Sequence, residues 1–316
     1  MPGLEIHPFA EEHLDGAAAL LEARHRRHRE AEPLLGDDKD FRAEVETLLG
    51  TAEWSGVAGT RNGRVVGYLL GIRKADAVWG PNVWIEPAGH AAEEPEDARD
   101  LYAAAAARWV GEGRSRHYAV VPASDNGLVE AWYRLSFGQQ HALGARAIPD
   151  EVEPFEGVRL AEERDLDPII EIAPVLPDHQ DRSPVFGTAP RETEDELRES
   201  IAEDLTNPEI ANFVAEIDGR VVGNLVIAPT ELSSTHGGVA RIDGAALLAY
   251  AATRPEVRGL GTGVAMTNAG FAWARERGYE TMVTDWRVTN LLSSRFWTRR
   301  GFRPTFLRLH RLLDAG

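Results

Sequence analysis

Residues 253–266, TRPEVRGLGTGVAM, stand between a mostly apolar run, GAALLAYAAT at 244–253, and a periodic segment. The apolar run suits a strand buried on both faces. After the glycines, Met266, Ala269, Gly270 and Trp273 fall at i, i+3, i+4 and i+7, the buried stripe of a helix expected over 263–277. Gly278 supplies a C′ stop, and Arg275 and Arg277 suit the negative end of the helix dipole. The N-terminus of such a helix leaves backbone N–H groups unpaired and carries about half a positive charge, which favours a phosphate. Gly259, Gly261 and Gly263 let that backbone approach a ligand without a Cβ, and Arg258 adds a full charge. The stretch therefore reads as a pyrophosphate cradle between a strand and a helix.

Two other phosphate motifs fit less well. A dinucleotide fingerprint wants a third glycine where Met266 stands. A Walker A loop wants Gly-Lys-Ser/Thr, and no lysine is near.

Outward from the loop, the chain repeats itself. GRVVG occurs at 63–67 and at 219–223, each time after Asn or Asp, and Asp-Gly or Asn-Gly between apolar runs signals a two-residue hairpin. AEEHLD at 10–15 answers AEERDLD at 161–167, and EAWYRLSF at 130–137 answers SRFWTRRGF at 294–302. The spacing is domain-sized, and 316 residues allow two domains. The acidic, proline-bearing segment 148–157 reads as the linker, giving domains at 1–150 and 151–316.

Within the second copy, Val158–Leu160 reads as a strand and 165–173 as a helix ended by Pro174. Residues 174–190 carry too many prolines for an element, and Thr193 with Glu196 opens a further helix through a capping box. A hairpin, the long strand, the glycine loop and helix, then strand, helix and a closing strand complete an α/β layer order with a mixed sheet.

Composition narrows the setting. The chain has no cysteine, hence no disulfide, thiolate nucleophile or cysteine-based metal site, and no His-Glu-x-x-His or comparable cluster. No run of about 18 apolar residues occurs and the first residues do not resemble a signal peptide, so a cytoplasmic protein without membrane contact is expected. The net charge of −17 disfavours nucleic acid. That charge is uneven: residues 254–316 carry eleven arginines against five acids, a basic island of +6 on a remainder of −23.

Arg258-x-x-Gly261-x-Gly263 after a long strand resembles the acyl-CoA loop of the GNAT superfamily of N-acetyltransferases. Asn290, Ser293, Phe296, Trp297, Gly301 and Phe302 are similar to that family's second signature, Asn-x-x-Ala-x-x-Phe-Tyr-x-x-x-Gly-Phe. The resemblance implies an α/β (α+β) fold of two tandem GNAT-like domains, each a mixed, mostly antiparallel sheet flanked by helices. It also implies acetyl-CoA as co-substrate and an amine-bearing small molecule as acceptor, with no metal, in a monomer or homodimer. Ala252 and Thr253 would hold the thioester and pantetheine. Val257, Gly259, Leu260, Gly261, Thr262 and Gly263 would hold the pyrophosphate beside Arg258. Asn290, Ser293 and Trp297 fall with the coenzyme, and one or two of Arg254, Arg295, Arg299 and Arg300 are expected to reach its phosphates.

The copies differ. Residues 85–107 of the first lack Arg-x-x-Gly-x-Gly and place Glu93, Glu94, Glu96 and Asp97 where a pyrophosphate would be repelled, so the first domain is expected to be degenerate and structural. The family's acid is a tyrosine where this chain has Trp297, which leaves Tyr250 as surrogate, Tyr279 being assigned to the core. The base stays open among Asp243, Asp285, His236, His179 and a water chain. The plan also resembles mycothiol synthases, and a non-catalytic acyl-CoA sensor is the alternative of another class. The basic run 24–29 is expected on an exposed helix face, and Trp54, Trp79, Trp84, Trp109 and Trp132 in the core.

Overall fold

Both GRVVG segments form the same hairpin. Asn62 and Gly63 have φ of 53° and 75°, and Asp218 and Gly219 have 50° and 77°. Two consecutive left-handed residues are what a tight turn matching strand twist requires, and Asn, Asp and Gly tolerate them best. The structure is a computed structural model that describes residues 3–36, 39–76, 79–187 and 191–313; residues 188–190 of the proline-rich segment thus lie outside the described residues. The chain forms two compact units, one of residues 1–143, 237–241 and 304–316 and one of 144–236 and 242–303. Among the described residues, no helix is long and apolar enough to cross a membrane.

The first unit runs β1 (Glu5–Pro8), α1 (Leu14–Ala31), α2 (Phe41–Leu49), β2 (Trp54–Arg61), β3 (Arg64–Asp76), β4 (Gly80–Ile85), β5 (His90–Ala92), α3 (Asp97–Gly111), β6 (Arg116–Pro122), α4 (Asn126–Tyr133) and β7 (Gly138–Ala147), whose last residues count with the second unit. Strands β1 to β4 pair antiparallel in order, and β4 pairs parallel with β6. The basic run corrects the reading of a wholly exposed face. On α1, Arg24, His25 and His28 are buried with Leu14, Ala17 and Leu21, because the run spans more than one turn and must present one side to the core. Trp109 and Trp132 are core residues, as expected.

The second unit contains β8 (Val158–Leu160), α5 (Leu166–Ile172), α6 (Val175–Gln180), α7 (Glu194–Thr206), β9 (Ala211–Ile217), β10 (Arg220–Pro229), β11 (Ala246–Thr253), α8 (Thr262–Glu276), β12 (Thr281–Arg287) and α9 (Leu291–Arg299). Strands β8 to β11 pair antiparallel in order, and β11 pairs parallel with β12. The Thr193–Glu196 capping box forms, with Thr193 N–H donating to Glu196 Oε2 at 2.8 Å. α8 carries the stripe read from sequence, and Gly278, at φ 82°, ends it. The segment read as too proline-rich for an element holds α6: Pro177 sits in the first turn, where its missing N–H would have had no partner anyway.

The last strand, β13 (Arg303–Leu312), reads in sequence as the closing element of the second repeat. From Pro304 it belongs to the first unit, where it pairs antiparallel with β6, Phe306 opposite Pro122 through Leu312 opposite Arg116.

Candidate active site

Strand β11 breaks its ladders on both sides near its middle. Toward β10 the register slips, Val226 facing Tyr250 and Ile227 facing Leu248, so Ala249 is bulged out. Toward β12 the parallel pairing is confined to Ala246–Met282 and Leu247–Val283. One residue further, the Thr284 hydroxyl donates to the Leu248 carbonyl at 2.9 Å in place of a backbone bond. Beyond that point the strands part, and the edge of β11 from Ala249 to Thr253 presents backbone groups to the gap. A polar backbone edge that is not spent on a neighbour is a ready partner for an extended amide-bearing ligand.

The glycine loop lies at the C-terminal end of this edge. Val257 N–H donates to Arg254 O, Arg258 N–H to Pro255 O and Leu260 N–H to Val257 O, so these amides are spent within the loop. Ala265 N–H is the first to find a helical acceptor, Gly261 O at 3.0 Å. Among the described residues no backbone carbonyl takes the N–H groups of Gly259, Gly261, Thr262, Gly263 or Val264. Gly261, the N-cap of α8, has φ 91° and Gly259 has φ 84°, and a Cβ built on either meets no atom within 4 Å. The result is an open nest of donors at a helix N-terminus, with exposed Arg258 beside it and no acid paired to that guanidinium among the described residues.

The remaining arginines divide. Arg254 is held by Glu171 at 2.8 Å and by the Val221 carbonyl, and Arg300 donates to Asn268 and lies over the Phe271 ring. Arg295 and Arg299 are exposed on α9.

At the N-terminus of α9, Asn290 Oδ1 accepts from the N–H groups of Leu292 and Ser293 and from His179 Nε2 at 3.1 Å. That bond makes Nε2 the protonated nitrogen of His179 and ties α6 to α9, as does Arg287 Nε donating to Gln180 at 3.1 Å. The Ser293 hydroxyl turns back to the Asn290 carbonyl. Trp297 is buried edge-on against Phe302 and Phe296, so it is a core side chain. Tyr279 stacks on Trp273 but is only half-buried, so it lies at the edge of the core and not within it as expected.

Tyr250 lies on the bulged stretch of β11, its hydroxyl donating to the Ala173 carbonyl at 3.3 Å, and burial raises its phenol above the ordinary value. It lines a cavity of about 330 Å³ with Ala249, Asn212, Asn224 and Asp204. Burial, and then Glu203, raises the Asp204 carboxyl. Asp285 is on β12 just past the point of parting and acts electrostatically on His236, whose imidazole is 1% exposed with Nε2 unpartnered. Burial depresses His236, and Asp285 opposes that shift. Asp243 is exposed in the turn before β11, at the other end of the strand from the loop.

Of the cavity's polar residues, Tyr250 was singled out in the sequence and Asp204, Asn212 and Asn224 were not. Asn224 left a signal, a polar residue inside the buried strand RVVGNLVIAP, and Asn212 faces the same side two positions from its partner. Asp204 left none.

The corresponding place in the first unit keeps a cavity of about 300 Å³, lined by Arg24, Arg27, Ala92, Glu93, Pro95, Asp125 and Leu128, but it is built differently. The parallel pairing of β4 with β6 continues over four positions, Asn82–Arg116 to Ile85–Ala119. Beyond it, His90 bonds the Val120 carbonyl at 3.0 Å, and the Arg24 guanidinium caps the carbonyls of His90 and Pro87. At the start of α3, the N–H groups of Asp97, Ala98 and Arg99 donate back to Glu94, Pro95 and Glu96, and Asp97 is held by Arg61 at 2.6 Å. The spent amides and the buried carboxylate at the start of α3 leave no counterpart of the nest among the described residues.

The sequence profile of the acetyltransferase (GNAT) family matches residues 175–302. Over this segment the chain is similar to the GNAT acetyltransferase family. The GNAT match covers α6 through α9 and so takes in the parted strands, the glycine loop and the α9 N-terminus. No curated protein matches the sequence. Among solved structures, a GCN5-related N-acetyltransferase from Sphaerobacter thermophilus aligns over 98% of this chain and 95% of its own, at TM-score 0.62 and 12% identity. A tandem GNAT protein from the clavulanic acid biosynthesis pathway aligns over 99% of both chains, at TM-score 0.51 and 16% identity. The likeness is one of fold, and it explains the repeated hairpin: the chain has the tandem GNAT fold, with mixed, mostly antiparallel sheets flanked by helices. Acyl transfer is the class of chemistry that the GNAT match supports.

Proposed function

We propose that the GNAT domain is an acetyl-CoA-dependent N-acetyltransferase acting on a small-molecule amine, and that the first repeat serves as scaffold. The observation that carries this reading is the pairing of unspent amides at Gly259 and at 261–264 with an open β11 edge on the same strand–loop–helix segment. The amides and Arg258 fit a pyrophosphate, and the open glycines leave room for it. The edge from Ala249 to Thr253 fits the amide groups of the pantetheine arm. Acetyl-CoA supplies the acetyl group as a thioester.

In the reaction, the amine nitrogen forms a C–N bond with the acetyl carbon as the C–S bond breaks and sulfur leaves with the bonding pair. A backbone N–H freed by the bulge at Ala249 stabilises negative charge on the carbonyl oxygen. Asp285, with His236 beside it, accepts the proton that the ammonium must shed and passes it to solvent. Tyr250, kept protonated by burial, gives its proton to the departing sulfur and regains one from solvent, while the second proton of the acetylated nitrogen leaves to solvent. Asp243 has no part, standing at the far end of β11. Trp297 supports the helix that carries Asn290 and Ser293.

Calorimetric titration with acetyl-CoA tests the reading. One site per chain is expected, and Arg258→Glu should weaken it about tenfold or more, since the exchange replaces a phosphate-facing cation by an anion. Two equal sites, or unchanged affinity in the variant, refute it.

A further inference from the structure

The cavity beside Tyr250 has a chemistry of its own. Its walls are apolar, from Ile169, Pro174, Pro177, Leu197, Ile201 and Val226. Its polar groups are few. Asn224 Nδ2 donates to Asn212 Oδ1 at 2.5 Å and to the Phe213 carbonyl at 3.0 Å. That leaves Asn212 Nδ2 as a donor and Asn224 Oδ1 as an acceptor, neither with a protein partner among the described residues. Both residues are buried, and their free polar atoms open to the cavity, where a ligand group can meet them. The two carboxylates on the lining are Asp204 and Glu192, and its single cation, Arg191, is committed to Asp178 and Asp181. The cavity therefore carries a negative field without a free positive group.

Its position joins it to the parted strands. Ala249, the bulged residue, and Tyr250 both line it. Asn212, Asn224, Val226 and Tyr250 occupy facing register positions and so share one side of the sheet. Gly223, one residue from Asn224, faces α8 instead, since a Cβ there would meet Met266 at 2.9 Å. The cavity thus reaches β11 from the side opposite α8.

We propose that this cavity admits the acceptor as an ammonium on an uncharged, largely apolar skeleton, with Asp204 the carboxylate that selects it and the Asn212–Asn224 pair binding one neutral polar group. The inference rests on the GNAT domain's acting as an amine acetyltransferase. At a water molecule's share of about 30 Å³, a cavity of about 330 Å³ holds roughly ten heavy atoms. Acceptors bearing a carboxylate next to the amine are repelled by Asp204 and Glu192, and polyhydroxylated amino sugars find too few partners on the apolar walls.

The test follows thiol release from acetyl-CoA with three probes: phenethylamine, phenylalanine (the same skeleton with a carboxylate) and glucosamine. Acetyl-CoA binding is measured separately by calorimetry on each protein. Phenethylamine should be acetylated with kcat/KM at least tenfold above the other two. Asp204→Asn should raise its KM about tenfold with kcat within about twofold and acetyl-CoA affinity unchanged, and Asp204→Glu should recover part of the loss. An unchanged KM in Asp204→Asn, a preference for phenylalanine or glucosamine, or no turnover of any probe by protein that binds acetyl-CoA overturns this inference and leaves the coenzyme reading standing. Failure of the wild-type protein to bind acetyl-CoA overturns both.

Discussion

Gly261 is where backbone geometry and ligand binding meet. It caps α8 at φ 91° and ψ −8°, and an added Cβ there meets nothing within 4 Å, so Gly261→Ala introduces no clash. Its cost is that of holding a non-glycine residue left-handed, about 1–2 kcal/mol, reduced by about 0.5 kcal/mol because alanine restricts the unfolded chain. That leaves about 1 kcal/mol, which must appear in one of two places. If α8 keeps its start, urea unfolding loses the whole amount and acetyl-CoA affinity is untouched. If the residue relaxes to negative φ, stability is spared, the N–H groups of Thr262, Gly263 and Val264 turn away, and binding bears the cost of turning them back, about a fivefold loss. Unfolding and calorimetry on the same protein should therefore give losses that together reach about 1 kcal/mol. Gly261→Asn should lose less, because asparagine tolerates this region. Gly111, inside α3 with open space around its Cβ and no positive φ, is the control: Gly111→Ala should be neutral or stabilising. Wild-type stability together with wild-type affinity in Gly261→Ala would refute the reasoning.

In the first unit, Gly71→Ala would put a Cβ 2.5 Å from Trp109 and from Val83, so urea unfolding should show a loss of about 1–3 kcal/mol from overpacking; acetyl-CoA affinity should not change. Burial, reinforced by the Arg24 charge, holds both His28 and His90 near 3, whereas in the unfolded chain each titrates near 6.5. The unfolded state thus takes protons that the folded state refuses: stability is complete above about pH 6.5 and falls as pH drops toward 3, by up to about 1.4 kcal/mol per pH unit per histidine. The urea midpoint should fall steadily from pH 7 to pH 4.5, and a flat profile would contradict the burial of these imidazoles in the folded state.

Local chemistry was legible wherever a residue's own backbone preference decided the structure. The Asn-Gly and Asp-Gly turns, the Thr193–Glu196 box, the stripe of α8 and the Gly278 stop all depend on contacts within a few residues, and each appears where the sequence places it. The glycine loop belongs with them, since open amides at a helix start follow from glycine and from helix geometry alone. Charge was less legible. Arg24, His25 and His28 look solvated in sequence, yet a helix covering the first unit's core buries them, with the carbonyls of residues 87 and 90 standing in for water around Arg24.

Short stretches of sequence sufficed to show the fold written twice, with a glycine loop at a helix start in one copy and none in the other, because spacing, glycine and charge sign are properties of neighbouring residues. The structure added which amides of the loop stay free, since Val257 and Leu260 each spend theirs on the carbonyl three positions back. It also decided that β11 parts from β12 after two pairs whereas β4 stays with β6 for four, a difference set by register between segments more than thirty residues apart. The partner of β13 and the gathering of Asp204, Asn212, Asn224 and Tyr250 around one cavity are of the same kind. Pairing and burial of that sort depend on which distant segment arrives, and no local pattern encodes it.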